Sequence, residues 1–252
     1  MIVREVTDVL EKMAPLSAQE SWDNSGLCIG SPQDEVTGIL VGLDCTMDVL
    51  REAVEKGMNM IVTHHPLIFG GIKNLVPGNP VSDMILYAVK HRLIVYSSHT
   101  TMDKAVGGVS YLMAEKLKMT ALRPLDESGL GLVGELREPV DGKDFPQYVA
   151  DAFGIGNMRY SCPVEKVRRV ALCGGSGSSF ISQAMASGAE AYISGDISYH
   201  YFFCREGFML LDIGHYESEI GIVPAIVSLL KENFLNFAIC ESTTELNPVN
   251  YL

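Results

Sequence analysis

Apolar positions along this chain follow two spacings, one of three to four residues and one in which several fall in unbroken succession. Val6, Val9, Leu10 and Met13 lie on one face of a helix that must stop before Pro15. Trp22-Asp23-Asn24-Ser25-Gly26 reads as a turn into the short apolar stretch Leu27-Cys28-Ile29. Ile39-Leu40-Val41 is then a buried strand. Thr46 is placed to cap a helix whose core face is Val49, Leu50, Ala53 and Val54, and Gly57 to end it. A second unbroken run, Met60-Ile61-Val62-Thr63, delivers His64 and His65 to a strand end closed by Pro66. Strand, helix and strand in that order predict a βαβ unit in a parallel sheet.

The same alternation continues. Val81, Met84, Ile85, Ala88 and Val89 predict a helix, the run from Leu93 to Tyr96 a strand leading to His99, and Val106, Val109, Met113 and Leu117 another helix. Around residues 120–145 the pattern changes: Leu130 to Leu136 alternates with period two, as an added strand would, and Phe145-Pro146 opens a helix through Phe153. Residues 167–235 then replay the α/β pattern, and the tail from Asn247 is irregular. Residues 36–65 lie over residues 167–196 at a constant offset of 131 without a gap, while an offset of 116 sets His99 on His215 and Asp103 on Glu219. The expected fold is α/β, two similar lobes from an internal duplication, whose strand-end residues can converge on a metal site between them if the lobes pack face to face. The lobes are placed at 1–125 and 126–252.

Loops at the carboxyl ends of parallel strands form the ligand crevice of such sheets. His64, His65, His99, Asp196 and His215 all follow apolar strands directly, so within each sheet they face that side. Asp103 and Glu219 each come four residues after a histidine, one helical turn away and on its face. Imidazole and carboxylate without thiolate select Zn, Mn, Fe, Co or Ni over a structural four-cysteine zinc site. A lone strand-end histidine is ordinarily a packing or hydrogen-bonding residue; an adjacent pair joined by two His-x-x-x-acid repeats is not expected by chance. His91, near a helix end, reads as structural. Cys173-Gly174-Gly175-Ser176-Gly177-Ser178-Ser179 reads first as a tight turn with Ser178 or Ser179 as helix cap. As an anion-binding loop it is a weak candidate, because it lacks the phosphate-loop lysine and the full G-x-G-x-x-G pattern.

Charge narrows the class of partner. With 19 Lys and Arg against 31 Asp and Glu, the net charge is −12, which disfavours a general binder of nucleic acid or anionic membrane and suits a protein that attracts cations. Six cysteines without a CxxC pair fit a reducing cytoplasm. Charges interrupt the first residues, and no run approaches the ~18–20 apolar residues needed to span a bilayer. Neither signal peptide nor membrane segment is expected, and a cytoplasmic location is.

Five segments together resemble one family: Glu20-Ser21-Trp22-Asp23-Asn24-Ser25-Gly26-Leu27, Thr63-His64-His65-Pro66-Leu67, His99-Thr100-Thr101-Met102-Asp103, Gly195-Asp196-Ile197-Ser198-Tyr199-His200 and Gly214-His215-Tyr216-Glu217-Ser218-Glu219. The resemblance is to the GTP cyclohydrolase I type 2 homologue family, the NGG-interacting-factor-like dinuclear metal-binding proteins, in its short form. It implies two divalent metal ions per subunit (Zn, Fe, Mn, Co or Ni) and a toroidal homohexamer with its sites on an internal cavity. The implied ligands are His64, His65, Asp103, His215 and Glu219, with His99 near the metals and Asp196 and His200 around them, supporting the ligands or binding substrate. The expected function is a dinuclear metal-dependent hydrolase acting on a small molecule, whether nucleotide, phosphoester or cyclic amidine, with His99 as catalytic proton shuttle. The alternatives are a non-enzymatic metal-binding or metal-handling protein acting with a partner, and a scaffold that the metals only stabilise.

Overall fold

The computed structural model describes residues 1–204, 206–244 and 246–252, and in it the unbroken apolar runs are strands covered on both faces. Helix α1 (Val3–Met13) turns Val3, Val6 and Leu10 inward. There follow β1 (Gly26–Ile29), β2 (Ile39–Gly42), α2 (Met47–Glu55), β3 (Met60–Thr63), α3 (Pro80–Lys90) and β4 (Ile94–Ser97). Every residue of β2, β3 and β4 is buried, as central parallel strands require. The Thr46 hydroxyl accepts the Val49 N–H at 3.2 Å and caps α2, as the sequence predicts. Val49, Leu50 and Ala53 of α2 and Ile85 and Ala88 of α3 pack on Leu40, Ile61 and Val95 of the strands. Truncating Leu50 or Ile85 to alanine typically costs about 2–5 kcal/mol.

Inside α4 (Thr100–Lys104) the chain leaves the first compact unit, Met1–Met102 with Ile222–Val249, for the second, Asp103–Gly221 with Asn250–Leu252. The second contains α5 (Val109–Lys116), β5 (Met119–Pro124), β6 (Leu132–Asp141), α6 (Phe145–Phe153), β7 (Arg159–Tyr160), β8 (Lys166–Ser176), α7 (Ile181–Ala186), β9 (Ala191–Gly195), β10 (Met209–Asp212) and α8 (His215–Glu219). Val133, Ala171, Ala184, Tyr192 and Leu210 are central to its core. Helix α9 (Ile222–Asn233) and strand β11 (Ile239–Glu241) then return to the first unit, where β11 pairs parallel with β2. The sequence places a single boundary near 125. The division by contacts differs because the last strand completes the first sheet and because Asp103 onward packs with the second. Val106, assigned to a core face by its spacing, precedes α5 and is 76% exposed.

The first sheet has the order β1-β4-β3-β2-β11 and the second β5-β6-β8-β9-β10-β7. Four strands of each share one arrangement. Ile39, Leu40 and Val41 pair in parallel with Met60, Ile61 and Val62; Val170, Ala171 and Leu172 pair likewise with Ala191, Tyr192 and Ile193, at the offset of 131 seen in the sequence. The third parallel strands, β4 and β10, correspond at 115, since Met60 pairs with Ile94 and Ala191 with Met209. The offset of 116 therefore holds only past a one-residue longer loop before His215. Strands β1 and β7 are the antiparallel edges, each on the third strand. Beyond the first parallel strand the sheets diverge, β11 being parallel and β6 antiparallel.

Glu52 ties the returning segment down. Its buried carboxylate accepts the Ser242 hydroxyl at 2.6 Å, the Thr243 N–H at 2.9 Å and hydroxyl at 2.7 Å, the Thr244 hydroxyl at 2.8 Å, and the Lys56 ammonium at 2.5 Å. Burial alone would raise its pKa, but the bonds from Lys56, Ser242 and Thr243 outweigh burial and hold it well below the usual carboxylate range. A depressed folded pKa stabilises above the ordinary range and loses that contribution as pH falls through it toward the folded value. Glu52→Gln should lower the unfolding free energy by about 2–3 kcal/mol at pH 7. Urea denaturation from pH 7 downward should show the gap to the parent chain narrowing below the ordinary glutamate pKa of 4.5.

Candidate metal centre

Parallel pairing does not stop at the last residue of β3. His64 N–H donates to Gly42 O at 3.3 Å and His65 N–H to Leu43 O at 2.9 Å, while Ser98 N–H donates to Thr63 O at 2.9 Å. The two histidines are thus fixed by backbone on both sides just past the strand end. Their rings are aimed by their Nδ1 atoms: His64 Nδ1–H donates to Ser98 O at 2.9 Å and His65 Nδ1–H to the Asp44 carboxylate at 2.9 Å. His99 Nδ1–H donates to Asp23 Oδ1 at 2.7 Å, and its N–H to Ser25 Oγ at 3.0 Å. Each acceptor can only accept, so each imidazole carries its proton on Nδ1 and its lone pair on Nε2. Ring centroids lie 5.0–5.5 Å apart, and one nitrogen of each of His64, His65 and His99 falls within 4.8 Å of the others.

Asp23 governs His99. Its fully buried carboxylate also accepts Ser25 Oγ at 2.8 Å, Thr100 N–H at 3.1 Å and Thr100 Oγ1 at 2.5 Å. Burial works to raise its pKa, but the donors His99, Thr100 and Ser25 prevail and keep it ionised far below the ordinary range.

In the second unit the donors are carboxylates with one imidazole. His215, the first residue of α8, donates Nδ1–H to Asp196 Oδ2 at 2.7 Å, repeating the pattern of the other three histidines. Its Nε2 lies 3.1 Å from Oε2 of Glu219, one turn on and 4% exposed. The hydrogen bond to Glu219, reduced by burial and reinforced by Asp196, raises the His215 pKa to about 9. A proton and a cation compete for that same lone pair, so metal uptake there releases a proton. Asp103 sits in α4 with Cys173 near enough to feel both carboxylates. Burial first, then Asp103 and Glu219, push the Cys173 thiol far above its usual range, which removes it as a thiolate ligand.

The glycine-rich loop proves to be a cradle. Gly175 N–H donates to Ser218 Oγ at 2.9 Å and Gly177 N–H to Ser194 Oγ at 2.9 Å, so these donors are committed within the protein rather than presented to an anion. A Cβ on Gly175, whose φ is +59°, would stand 2.3 Å from Glu219 Oε1 and 3.3 Å from the His215 ring. His200 is exposed, with its ring against Tyr199 at 5.3 Å, and His91 caps α3 with its ring 4.2 Å from Tyr87, a structural place. Asp23 and Asp44, the aiming carboxylates of the first unit, are what sequence reasoning missed. Asp44 also lines a 630 Å³ cavity with Cys45, Met47 and Met84, which none of the four aimed histidines lines.

The family profile of Duf34/NIF3 (NGG1p interacting factor 3) matches residues 1–248. This chain belongs to the DUF34/NIF3 family. A Clostridium perfringens protein named GTP cyclohydrolase 1 type 2 homolog is 32% identical over 92% of each chain, and one of the same name from Streptococcus pneumoniae is 31% identical over the whole of both. Among solved structures, Staphylococcus aureus protein SA1388 superposes with a TM-score of 0.88 at 28% identity, covering 100% of this chain and 99% of that one. No helix among the described residues of this DUF34/NIF3 protein is long and apolar enough to cross a membrane.

The residues of each unit suit a divalent cation: imidazoles held through Nδ1 with Nε2 left for a metal in the first, and in the second a buried carboxylate in a space that only glycine leaves open. Gly175→Ala should therefore weaken Zn²⁺ binding by about tenfold or more with the fold retained, since displaced supporting groups commonly cost 10–100-fold. Calorimetric titration beside circular dichroism checks this, with Gly156→Ala, where an added Cβ meets nothing within 4 Å, as the neutral control.

Proposed function

We propose that the protein is a dinuclear metal-dependent hydrolase of a small molecule, its two divalent ions held by His64, His65, Asp103, His215 and Glu219. The observation that carries this reading is that His64, His65, His99 and His215 all commit Nδ1–H to an oxygen acceptor, the arrangement by which proteins prepare Nε2 for a metal. The donor set suits Zn, Mn, Fe, Co or Ni. The cyclohydrolase-homologue name of the relatives supports the hydrolase class, and the resemblance supports a homohexamer.

When bound, two such ions would acidify water and neutralise a developing oxyanion. The chain itself supplies the proton traffic. Asp23 stays ionised, so it fixes the His99 tautomer and stabilises the imidazolium that forms when Nε2 takes a proton from the attacking water. His99 then returns that proton to the leaving group. Asp44 and Asp196 aim His65 and His215 in the same manner. His200 is assigned to the substrate-binding surroundings by resemblance alone.

Elemental analysis of protein purified without chelator should give two divalent ions per chain. A stoichiometry staying at one after loading with each of the five metals would overturn the dinuclear reading. Asp103→Ala or Glu219→Ala should lose most bound metal, whereas His99→Ala should keep it and lower turnover by about 10²–10⁴-fold in a screen of nucleotides, phosphoesters and cyclic amidines. Metal retained with no turnover on any class would favour the metal-handling alternative.

A further inference from the structure

Trp22 and Phe69 are 54% and 55% exposed, an unusual cost for two large aromatic rings side by side. Their centroids are 5.9 Å apart with planes tilted by 44°. Each also stands 6.0 Å from the His99 ring, edge to face at 73° and 72°. Neither position is incidental to the histidines. Trp22 immediately precedes Asp23, which aims His99, and Phe69 is four residues beyond His65. Asn24 Nδ2–H donates to Ile68 O at 2.6 Å, so the turn bearing one ring is tied to the loop bearing the other. Beyond Phe69, a Cβ added to Gly70 or Gly71 would meet no heavy atom within 4 Å, so the chain that follows the ring runs through open space.

We propose that Trp22 and Phe69 form a stacking platform for a planar heteroaromatic ring of the substrate and present it to His99. Aromatic faces held half open beside a group that moves protons suit a flat π-system better than an aliphatic chain, because stacking on a rigid ring selects flatness and tolerates the identity of the heterocycle. The proposal rests on the hydrolase reading for what happens after the ring is bound; ring binding itself requires only the platform. It selects the heterocyclic substrates, nucleotide or cyclic amidine, over simple phosphoesters.

Trp22 is the chain's single tryptophan, so intrinsic tryptophan fluorescence reports on the platform alone. Adenosine and guanosine should quench it saturably while ribose 5-phosphate does not, in metal-loaded and chelator-treated protein alike. Phe69→Ala should weaken that binding by about fivefold or more and leave metal content unchanged, as loss of one stacking partner does for single-stranded nucleic acids. Equilibrium dialysis should show the same loss for Trp22→Ala and recovery for Trp22→Phe. Absence of quenching by either nucleoside, or unaltered binding in Phe69→Ala, would overturn the platform. So would a fluorescence change that follows protein concentration instead of nucleoside, since a second copy of the chain would then be what covers the rings. Quenching that persists in a protein found to bind no metal would leave the platform standing and remove the hydrolase reading.

Discussion

An imidazole held through one nitrogen aims the other, and the commitment of Nδ1–H is the interaction on which the proposed metal centre depends. Ser98 O, Asp44, Asp23 and Asp196 do the holding for His64, His65, His99 and His215. Each holder comes from a loop at a strand's carboxyl end or from the turn around Asp23, so the fold is built backward from these bonds. Parallel strands bring the loop ends together, glycine-limited turns set their lengths, and the cores beneath keep the strands in register. A ring held this way by Nδ1 turns Nε2 toward the site, where in the neutral imidazole it is a lone pair.

The two sheets solve this differently at equivalent places. At the offset of 131 Asp44 falls on Gly175, and His64 and His65 fall on Gly195 and Asp196, although the pairing of β8 with β9 shifts between Leu172 and Ser176. The first unit therefore gathers nitrogen donors and the second gathers anionic oxygen. Asp196, aligned with His65, serves instead to aim His215.

Much of this was legible in the residues. A strand shows itself by an unbroken apolar run and its end by the polar residue that follows, which is why His64, His65, His99 and His215 stood out. Thr46, Gly57 and the Phe145 helix start follow local rules and lie where those rules put them. Strand β5 was not anticipated because most of its residues face solvent, leaving no alternation to read. Strand β11 was not anticipated as part of the first sheet because periodicity records an element's type, never its neighbour. Asp23 and Asp44 escaped for a related reason: they meet their histidines across 76 and 21 residues, and nothing local distinguishes an aiming carboxylate from a turn residue.

Gly195 carries a consequence for how such a chain can change. It stands in the register of His64, yet a Cβ there would meet the backbone of Gly214 and His215 at 2.8–2.9 Å. A chain assembled from two copies of one unit could keep no side chain at the place of His64 in the second copy with α8 as close to β9 as it is. With α8 in that place, a histidine at 195 would also require the helix to move back. For a chain built from two such copies, specialisation would thus act as a ratchet: permissive while the copies are alike, and hard to reverse after the helix has moved in.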